Sequence, residues 1–309
     1  MSPSRGLVFR RALSTFRTLP SSATPVQIYI SKAHDPFVNL SLEHHLFQTN
    51  PPGTTTLLLY ANSPCIVIGR NQNPWVEINL PRVLLSSSPP HVVRRRSGGG
   101  TVFHDLGNVN YSVAMPTPAF HRDTHAEMVV RALRNLGVSG AVVNERHDVV
   151  MLPDGTAVPE TRLTGGNVLP DGTKKISGSA YKLTKRRSYH HGTMLLRSRL
   201  QDVKWHLRSP AREWMKARGV DSVRSEVANA GVDEEGFVGA VVEEFSRMYG
   251  GEHGLEVSRR ALETGRGGGD ASLGLCWVDE EEARMVEDIQ KGVEELTVGS
   301  FSRFAHVYC

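Results

Sequence analysis

Two segments of the chain carry residue types that bind anions. The first, residues 94–105 (RRRSGGGTVFHD), sets three arginines beside three consecutive glycines. Glycine lets backbone N–H groups approach a ligand closely, and successive exposed N–H groups form a cradle for an anion. Arginine adds positive charge and forked donors that suit phosphate or carboxylate. The segment favours a bound nucleotide or acyl phosphate; the alternative is a flexible turn beside a solvated basic face.

The second segment is residues 174–181 (KKISGSAY), followed at 190–195 by HHGTML. Small residues surround Lys175 and leave room for a ligand beside its ammonium. The first segment lacks the lysine and spacing of a P-loop and the glycine spacing of a dinucleotide fold. The interpretation therefore depends on the two segments taken together.

Together the segments resemble lipoate–protein ligase A and its relatives, the lipoyl- and octanoyltransferases. The shared pattern reads RR-S-GGG-(A/T)-VFHD-GN-N, then K-(I/V)-SGSA, then HHGT-L, and residues 68–75 and 219–225 match as well. The resemblance runs from about residue 36 to about residue 250. It implies an α/β fold with a mixed sheet and flanking helices, the class II synthetase-like fold of biotin and lipoate ligases.

The resemblance also implies a reaction. Such ligases activate lipoate with ATP and Mg²⁺ to give lipoyl-adenylate and pyrophosphate, and then transfer the lipoyl group to a lysine of a lipoyl domain. The expected acceptors are the acyltransferase subunits of 2-oxoacid dehydrogenases and the glycine-cleavage H protein. One alternative is a lipoyl- or octanoyltransferase that takes the acyl group from a carrier protein or activated donor without ATP. Another is a non-catalytic adenylate- or lipoyl-binding module, against which retention of Arg95, the three glycines and Lys175 argues.

Site residues follow from the same resemblance. Lys175 matches the lysine that contacts both the acyl carbonyl and the phosphate, and we predict an electrostatic role because the first step brings two anions together. Binding of ATP or lipoyl-adenylate is predicted at Lys175 and at Arg95, Ser97, Gly98, Gly99, Gly100, Thr101, Val102, Phe103 and His104. The lipoate pocket is predicted to involve Arg70, Ser177, Gly178, His191 and Gly192.

Asp148 is the candidate metal ligand. Hard oxygen ligands suit magnesium, so this carboxylate could help to hold a Mg²⁺ that bridges ATP oxygens. The alternative is a carboxylate at the start of a strand, paired with Arg146. The intervening His147 departs from the Arg-Asn-Asp that the family usually has here.

The remaining histidines and cysteines do not indicate a zinc site or a disulfide framework. The pairs at 44–45 and 190–191 lack supporting cysteines at metal-binding spacing. The first pair is predicted to pack one histidine of a helix and expose the other, and the second to lie on a strand edge near the lipoyl pocket. The cysteines are Cys65, Cys276 and Cys309. Cys65 lies in an apolar run and is predicted to be a buried hydrophobe rather than a nucleophile.

Residues 1–24 have the composition of a mitochondrial transit peptide. They contain four of the 36 basic residues and no acid, and Phe9, Leu13 and Phe16 fall at helical spacing. We therefore predict import into the mitochondrial matrix. The rest of the chain balances 32 basic against 32 acidic residues, which leaves no basic footprint for nucleic acid. No apolar run approaches the length needed to cross a bilayer.

Hydrophobic periodicity predicts the elements that position these motifs. Strands are predicted at 26–30, 56–60 paired with 65–68, 109–115, 149–152 and 157–158, the last two flanking a turn at 153–155. Helices are predicted at 40–47, 126–136 closed by Gly137, 237–248 ended by Gly250-Gly251, and 286–296. Residues 265–270 are predicted to be a flexible linker. The predicted division is a transit peptide (1–24), a catalytic domain (25–250), and a linker with a short C-terminal helical tail (251–309).

Overall fold

The computed structural model describes residues 24–305, except 157, 159–160, 163–168, 208, 216–221 and 266. The predicted transit peptide lies outside the described residues apart from Thr24. Ala157 of a predicted strand and residues 219–221 of a matched motif also lie outside them. In the described part of the chain, no helix combines the length and apolar character needed to span a membrane.

A mixed seven-stranded sheet forms the centre of the fold. Its strand order is β10-β11-β6-β2-β1-β13-β12, and β1 lies parallel to both β2 and β13. These strands are β1 (Val26–Ser31), β2 (Thr55–Ala61), β6 (Asn108–Pro116), β10 (Ser179–Leu183), β11 (Arg187–Leu195), β12 (Gly268–Gly269) and β13 (Leu273–Val278). Every residue of β1 and β2 is buried, because helices cover both faces of this part of the sheet.

Two three-stranded sheets carry the glycine segment and Lys175, whereas residues 190–195 lie on β11 of the central sheet. One has the order β4-β3-β5 and consists of β3 (Cys65–Ile68), β4 (His91–Arg94) and β5 (Val102–His104). The other has the order β7-β8-β9 and consists of β7 (Ala141–Val143), β8 (Val149–Met151) and β9 (Lys174–Lys175). The glycine segment connects β4 to β5, and Lys175 ends β9.

The predicted pairing of strands 56–60 and 65–68 is wrong. β2 pairs with β1 and β6, whereas β3 pairs with β4 and β5 in a separate sheet. The chain leaves the first sheet at buried Asn62, whose Oδ1 accepts a hydrogen bond from Asn39 Nδ2 at 2.9 Å. This buried side-chain contact turns the chain between sheets, and periodicity cannot reveal it.

The helices within the described residues are α1 (Pro36–Thr49), α2 (Pro74–Glu77), α3 (Leu80–Leu84), α4 (Thr124–Asn135), α5 (Leu200–His206), α6 (Glu234–Thr264), α7 (Glu280–Arg284) and α8 (Glu287–Ala305). The same part of the chain has 3-10 turns at Thr117–Ala119 and Pro210–Glu213. α1 begins earlier than predicted because Asp35 caps it, accepting from the N–H groups of Phe37 and Val38. His44 and His45 are both half-buried, so the prediction that one packs and the other is exposed is wrong.

The segment after residue 250 belongs to the main fold. The helix predicted to end at Gly250-Gly251 is interrupted there: Gly251 leaves the helical conformation (φ 62°), which glycine adopts without strain, and a second helical stretch runs on to Thr264. The predicted linker contains β12, which pairs with β13. β13 pairs with β1, and α8, which begins one residue after the start of the predicted 286–296 helix, packs against α1. The predicted division at residue 250 is therefore wrong for the described residues.

Candidate active site

Two cavities meet at Lys175. The inner cavity, of about 220 Å³, is lined by residues that include Leu40, Tyr60, Val67, Gly99, Gly100, His104, Asn110, Arg146, Asp148, His191 and Gly192. The outer cavity, of about 440 Å³, is lined by residues that include Phe103, Ser177, Leu195, Val203, Lys204, Leu207, Arg224 and Glu226. Both are lined by Thr101, Val102, Lys175, Gly178, Thr193, Ser222 and Val223. The glycine segment and the lysine segment therefore share one site.

The Lys175 ammonium is held beside open space. Its Nζ lies 2.9 Å from Asp148 Oδ2. A Cβ placed on Gly178 would lie 3.4 Å from Lys175 Nζ, in van der Waals contact, so glycine leaves this approach to the ammonium free of a side chain. The predicted small-residue setting of Lys175 is therefore present in the fold.

Asp148 lies immediately before β8, and its predicted alternative pairing with Arg146 is wrong. Its Oδ2 pairs with Lys175, and its Oδ1 accepts from the Ser179 N–H at 3.2 Å. Among the described residues, no group of three or more His, Cys, Asp or Glu side chains could hold a metal ion. A Mg²⁺ at this carboxylate would therefore take most of its ligands from phosphate and water.

The three arginines of the first segment bind protein groups. Arg94 Nη1 donates to the carbonyl of Gln72 at 2.8 Å, and Arg96 Nη2 lies 2.7 Å from Glu295 Oε2 of α8. Arg95 is buried, and its Nη2 donates to the carbonyls of Gly98 and Gly100 at 2.6 and 2.7 Å. Burial lowers the pKa of Arg95 to about 10. Arg95 thus lines the inner cavity, but its Nη2 donates to the carbonyls of the loop and is not available to a phosphate.

The glycines of the loop differ in what they allow. Gly99 has φ 83°, and a Cβ there would lie 2.9 Å from Arg95 Nη2 and 3.1 Å from Ala180 Cβ. A Cβ on Gly69 would lie 2.1 Å from the Gly99 carbonyl oxygen. By contrast, a Cβ on Gly98 would meet nothing within 4 Å. Close packing on two sides therefore fixes the path of the chain at Gly99.

A buried chain of polar contacts supports the loop from below. Glu43 Oε2 lies 2.8 Å from His191 Nδ1, and His191 Nε2 lies 2.8 Å from Ser97 Oγ. Arg95 Nε also donates to Ser97 Oγ at 2.9 Å. Because β11 pairs with β10 on one side and β6 on the other, the prediction that His191 lies on a strand edge is wrong. Sequence analysis missed Glu43, because its partner His191 is distant in the sequence.

Replacing Glu43 with glutamine is expected to lower the free energy of unfolding by about 2 kcal/mol at neutral pH, because a buried charged hydrogen bond is lost. Burial opposes ionisation of Glu43, but the charge and hydrogen bond of His191 outweigh it, so the pKa lies below its ordinary value of 4.5. The stabilisation is therefore fully present above pH 4.5, the pKa of the unfolded chain. It is lost as the pH falls through the lower pKa that Glu43 has in the folded protein. Denaturant unfolding of both proteins across this range measures the difference.

The matched control for Glu43→Gln is Glu295→Gln, which removes the exposed partner of Arg96. Exposed ion pairs contribute about 0–1 kcal/mol, so this variant is expected to unfold almost like the original protein. A Glu43→Gln difference that persisted unchanged at low pH would contradict the assignment of the charge to Glu43.

The other predicted residues are distributed unevenly. Arg70 is exposed, and neither it nor Ser97 nor Gly98 lines either cavity. Arg146, Lys204 and Arg224 line the cavities but were missed as binding residues; Arg224, in the matched 219–225 motif, and Arg146, which matches the first residue of the family's Arg-Asn-Asp, carried a sequence signal. Ser222 of that motif accepts the N–H of Thr101 at 2.9 Å, which ties this segment to the glycine loop.

The described cysteines, Cys65 and Cys276, are both buried free thiols. Burial raises the pKa of Cys65 well above that of an ordinary thiol. A thiolate is the nucleophilic form of cysteine, so this environment makes Cys65 unreactive. The prediction that it is a buried hydrophobe is confirmed.

Comparison with known proteins identifies related sequences. Residues 35–245 match the family model described as the lipoyl protein ligase A/B catalytic domain. A Schizosaccharomyces pombe protein named as a candidate lipoate-protein ligase A is 42% identical over 233 residues, which cover 75% of this chain and 58% of that protein. The chain thus spans less than two thirds of the length of this relative.

Solved structures share the fold. P. falciparum LipL1 in complex with lipoate has a TM-score of 0.62 at 22% identity, covering 88% of this chain and 71% of LipL1. A lipoate-protein ligase A bound with ATP has a TM-score of 0.58 at 20% identity, covering 88% of this chain and 94% of that chain. The predicted fold class, a mixed sheet with flanking helices, is confirmed.

Proposed function

The chain belongs to the lipoyl protein ligase A/B catalytic domain family, and from this premise we propose that it is a lipoate–protein ligase. It activates lipoate with ATP to lipoyl-AMP and transfers the lipoyl group to a lysine of a lipoyl domain. One observation carries the proposal: the Lys175 ammonium lies where two cavities meet. A reaction that joins two anionic substrates needs a cation at their junction.

The lining of the two cavities supports a division of labour between them. Leu40, Tyr60 and Val67 give the inner cavity an apolar wall suited to the alkyl chain and dithiolane ring of lipoate. The outer cavity is about twice as large and carries Lys204 and Arg224, which suit a nucleotide. The matched relatives of known structure are described with lipoate and with ATP.

In the first step, a carboxylate oxygen of lipoate attacks the α-phosphorus of ATP. The bond from this phosphorus to the bridging oxygen of the β-phosphate breaks, and pyrophosphate leaves with the bonding electrons. Lys175 reduces the repulsion between the two anions and stabilises charge that develops on the phosphate and acyl oxygens. Asp148 holds the ammonium in place before the substrates bind.

In the second step, the unprotonated amine of an acceptor lysine attacks the acyl carbon. A C–N bond forms, the C–O bond to AMP breaks, AMP leaves with the electron pair, and the nitrogen of the new amide loses a proton to solvent. The same ammonium faces the acyl oxygen as it becomes negative. Mg²⁺ bound to the triphosphate would supply further positive charge, with Asp148 as the protein carboxylate available to it.

A transferase that uses no ATP is the alternative. Some octanoyltransferases use a cysteine nucleophile, but the described thiols are buried, and the pKa of Cys65 is raised by burial. A transfer between carriers would also leave the outer cavity without a role. Both points favour the ligase.

The test is incubation of the full chain with lipoate, Mg-ATP and an apo lipoyl domain. We expect ATP-dependent pyrophosphate release and a lipoyl mass increase on the acceptor. The control omits ATP and supplies a lipoylated or octanoylated carrier protein. Transfer in this control without pyrophosphate release in the first mixture would replace the ligase by the transferase.

The proposal extends to partners and location. The acceptors are the lipoyl domains of 2-oxoacid dehydrogenase acyltransferase subunits and the glycine-cleavage H protein, which parallel assays with each apo protein would rank. Residues 1–24, rich in Arg, Ser and Thr, direct the chain to the mitochondrial matrix. Fractionation of cells that express the chain with and without residues 1–24 tests this; recovery of both forms in the cytosol would refute it.

A further inference from the structure

His147 has an unusual backbone conformation. Its φ is 64°, and it is the only non-glycine residue with a positive φ in the described part of the chain. The left-handed region costs an L-residue about 1–2 kcal/mol, and even histidine, which is found there more often than most residues, adopts it uncommonly. Such a conformation persists only where surrounding contacts hold it.

The side chain of His147 pairs with a carboxylate. Its Nδ1 lies 2.5 Å from Asp123 Oδ1, and the other oxygen of Asp123 lies 2.8 Å from Arg162 Nη1. Asp123 occupies the N-cap position of α4, yet its side chain makes no capping hydrogen bond. An aspartate cap contributes about 1 kcal/mol to a helix. The His147–Asp123 pair therefore forms at the expense of an unstrained backbone at His147 and of a capping hydrogen bond from Asp123.

The pair lies next to the residues that hold the Lys175 ammonium. The His147 carbonyl accepts from Ser179 Oγ at 2.6 Å, and the next residue is Asp148. The Ser179 N–H donates to Asp148 Oδ1, while Asp148 Oδ2 pairs with Lys175. The side chain of Asn144 closes the turn, accepting from the N–H of Asp148 at 3.0 Å. Movement of His147 would therefore shift Ser179 and Asn144, the two residues whose hydrogen bonds fix the orientation of Asp148.

We propose that His147 and Asp123 are positioning residues for Lys175. Their pair, backed by Arg162, holds the turn at 144–148 so that Asp148 presents its carboxylate to the ammonium at the junction of the cavities. The effect on catalysis rests on the proposed function, in which Lys175 is the cation between lipoate and ATP. The effect on the position of Lys175 does not.

The test compares His147→Gly, Asp123→Asn and the double variant of the full chain. The control is His121→Gly, which changes an exposed histidine two residues before Asp123. Glycine relieves the strain at φ 64°, so His147→Gly is expected to match or exceed the original protein in thermal midpoint. The adenylation kcat is expected to fall about tenfold while KM for lipoate changes less than about twofold, because orientation and not binding is lost.

A second measurement follows the chemical reactivity of the Lys175 amine and does not depend on catalysis. Competitive acetylation by acetic anhydride, followed by peptide mass spectrometry, compares Lys175 with its exposed neighbour Lys174. We expect the ratio of Lys175 acetylation to Lys174 acetylation to rise about threefold in His147→Gly and in Asp123→Asn. The reason is that the Lys175 amine is released from its hydrogen bond to Asp148. The double variant should equal the single variants, since the two residues act as a unit.

The outcomes separate the two proposals. If the original protein forms no adenylate, the proposed function fails, and the acetylation ratio still decides the positioning role. If neither the ratio nor kcat changes in His147→Gly and Asp123→Asn, the positioning role is overturned. A change in His147→Gly alone also overturns it, because only the turn and not the pair would then matter.

Discussion

Replacement of Lys175 by alanine is expected to reduce the rate of lipoyl-adenylate formation about a thousandfold. One ammonium ~4 Å from developing charge contributes roughly 4 kcal/mol at an effective dielectric of about 20, and each 1.36 kcal/mol of barrier is about tenfold in rate. The change also leaves the Asp148 carboxylate without its ammonium partner, facing two anionic substrates. Single-turnover release of pyrophosphate at saturating lipoate and ATP measures the chemical step directly.

Lys174→Ala is the matched control, because Lys174 is the exposed residue that precedes Lys175 on β9. It should react like the original protein. A second variant, Lys175→Met, removes the charge but keeps most of the side-chain volume, so it should be as slow as the alanine variant. Near-normal adenylate formation by either Lys175 variant would refute the electrostatic role.

Replacement of Gly99 by alanine is expected to lower the free energy of unfolding by about 3 kcal/mol and to abolish measurable adenylation. The left-handed conformation costs an L-residue about 1–2 kcal/mol, and overpacking typically costs about 1–3 kcal/mol. The new Cβ would lie 2.9 Å from Arg95 Nη2 and 3.1 Å from Ala180 Cβ, so the chain at Gly99 would have to move. Denaturant unfolding and pyrophosphate release measure the two effects.

Gly98→Ala is the matched control, because it removes one glycine from the loop but leaves Gly99 in place. A Cβ at Gly98 meets no atom within 4 Å, so this variant should unfold within about 0.5 kcal/mol of the original protein. Equal destabilisation by the two substitutions would show that the loop does not need glycine specifically at Gly99.

The sequence predicted that the glycine segment and the lysine segment form one site, because each has residue types that let a ligand approach closely and the two together resemble one family. Lys175 among small residues and the glycine run both predict close approach of a ligand, and both line one cavity. The role of the arginines was not readable, because composition cannot distinguish a guanidinium that binds phosphate from one that binds a loop carbonyl. Arg95 satisfies carbonyls of the loop that it belongs to.

Other features depended on contacts between distant segments. Glu43 reaches His191 across 148 positions of sequence, and Arg96 reaches Glu295 across 199. Glycine-rich sequence misled the prediction at the predicted linker, where Gly268–Gly269 form a strand. Local pattern identifies a residue that permits a turn, but packing decides whether a turn is made.

The position of β1 has a consequence for biosynthesis. This strand lies between β2, which follows it closely, and β13, which spans Leu273–Val278. A nascent chain emerging from the ribosome can pair β1 with β2 early, but the other side of β1 waits until nearly the last of the described residues are made. Until then its backbone N–H and C=O groups form an open edge that can pair with another chain. Pairing over such a separation is intrinsically slow, so newly made molecules are most prone to aggregate before β13 arrives.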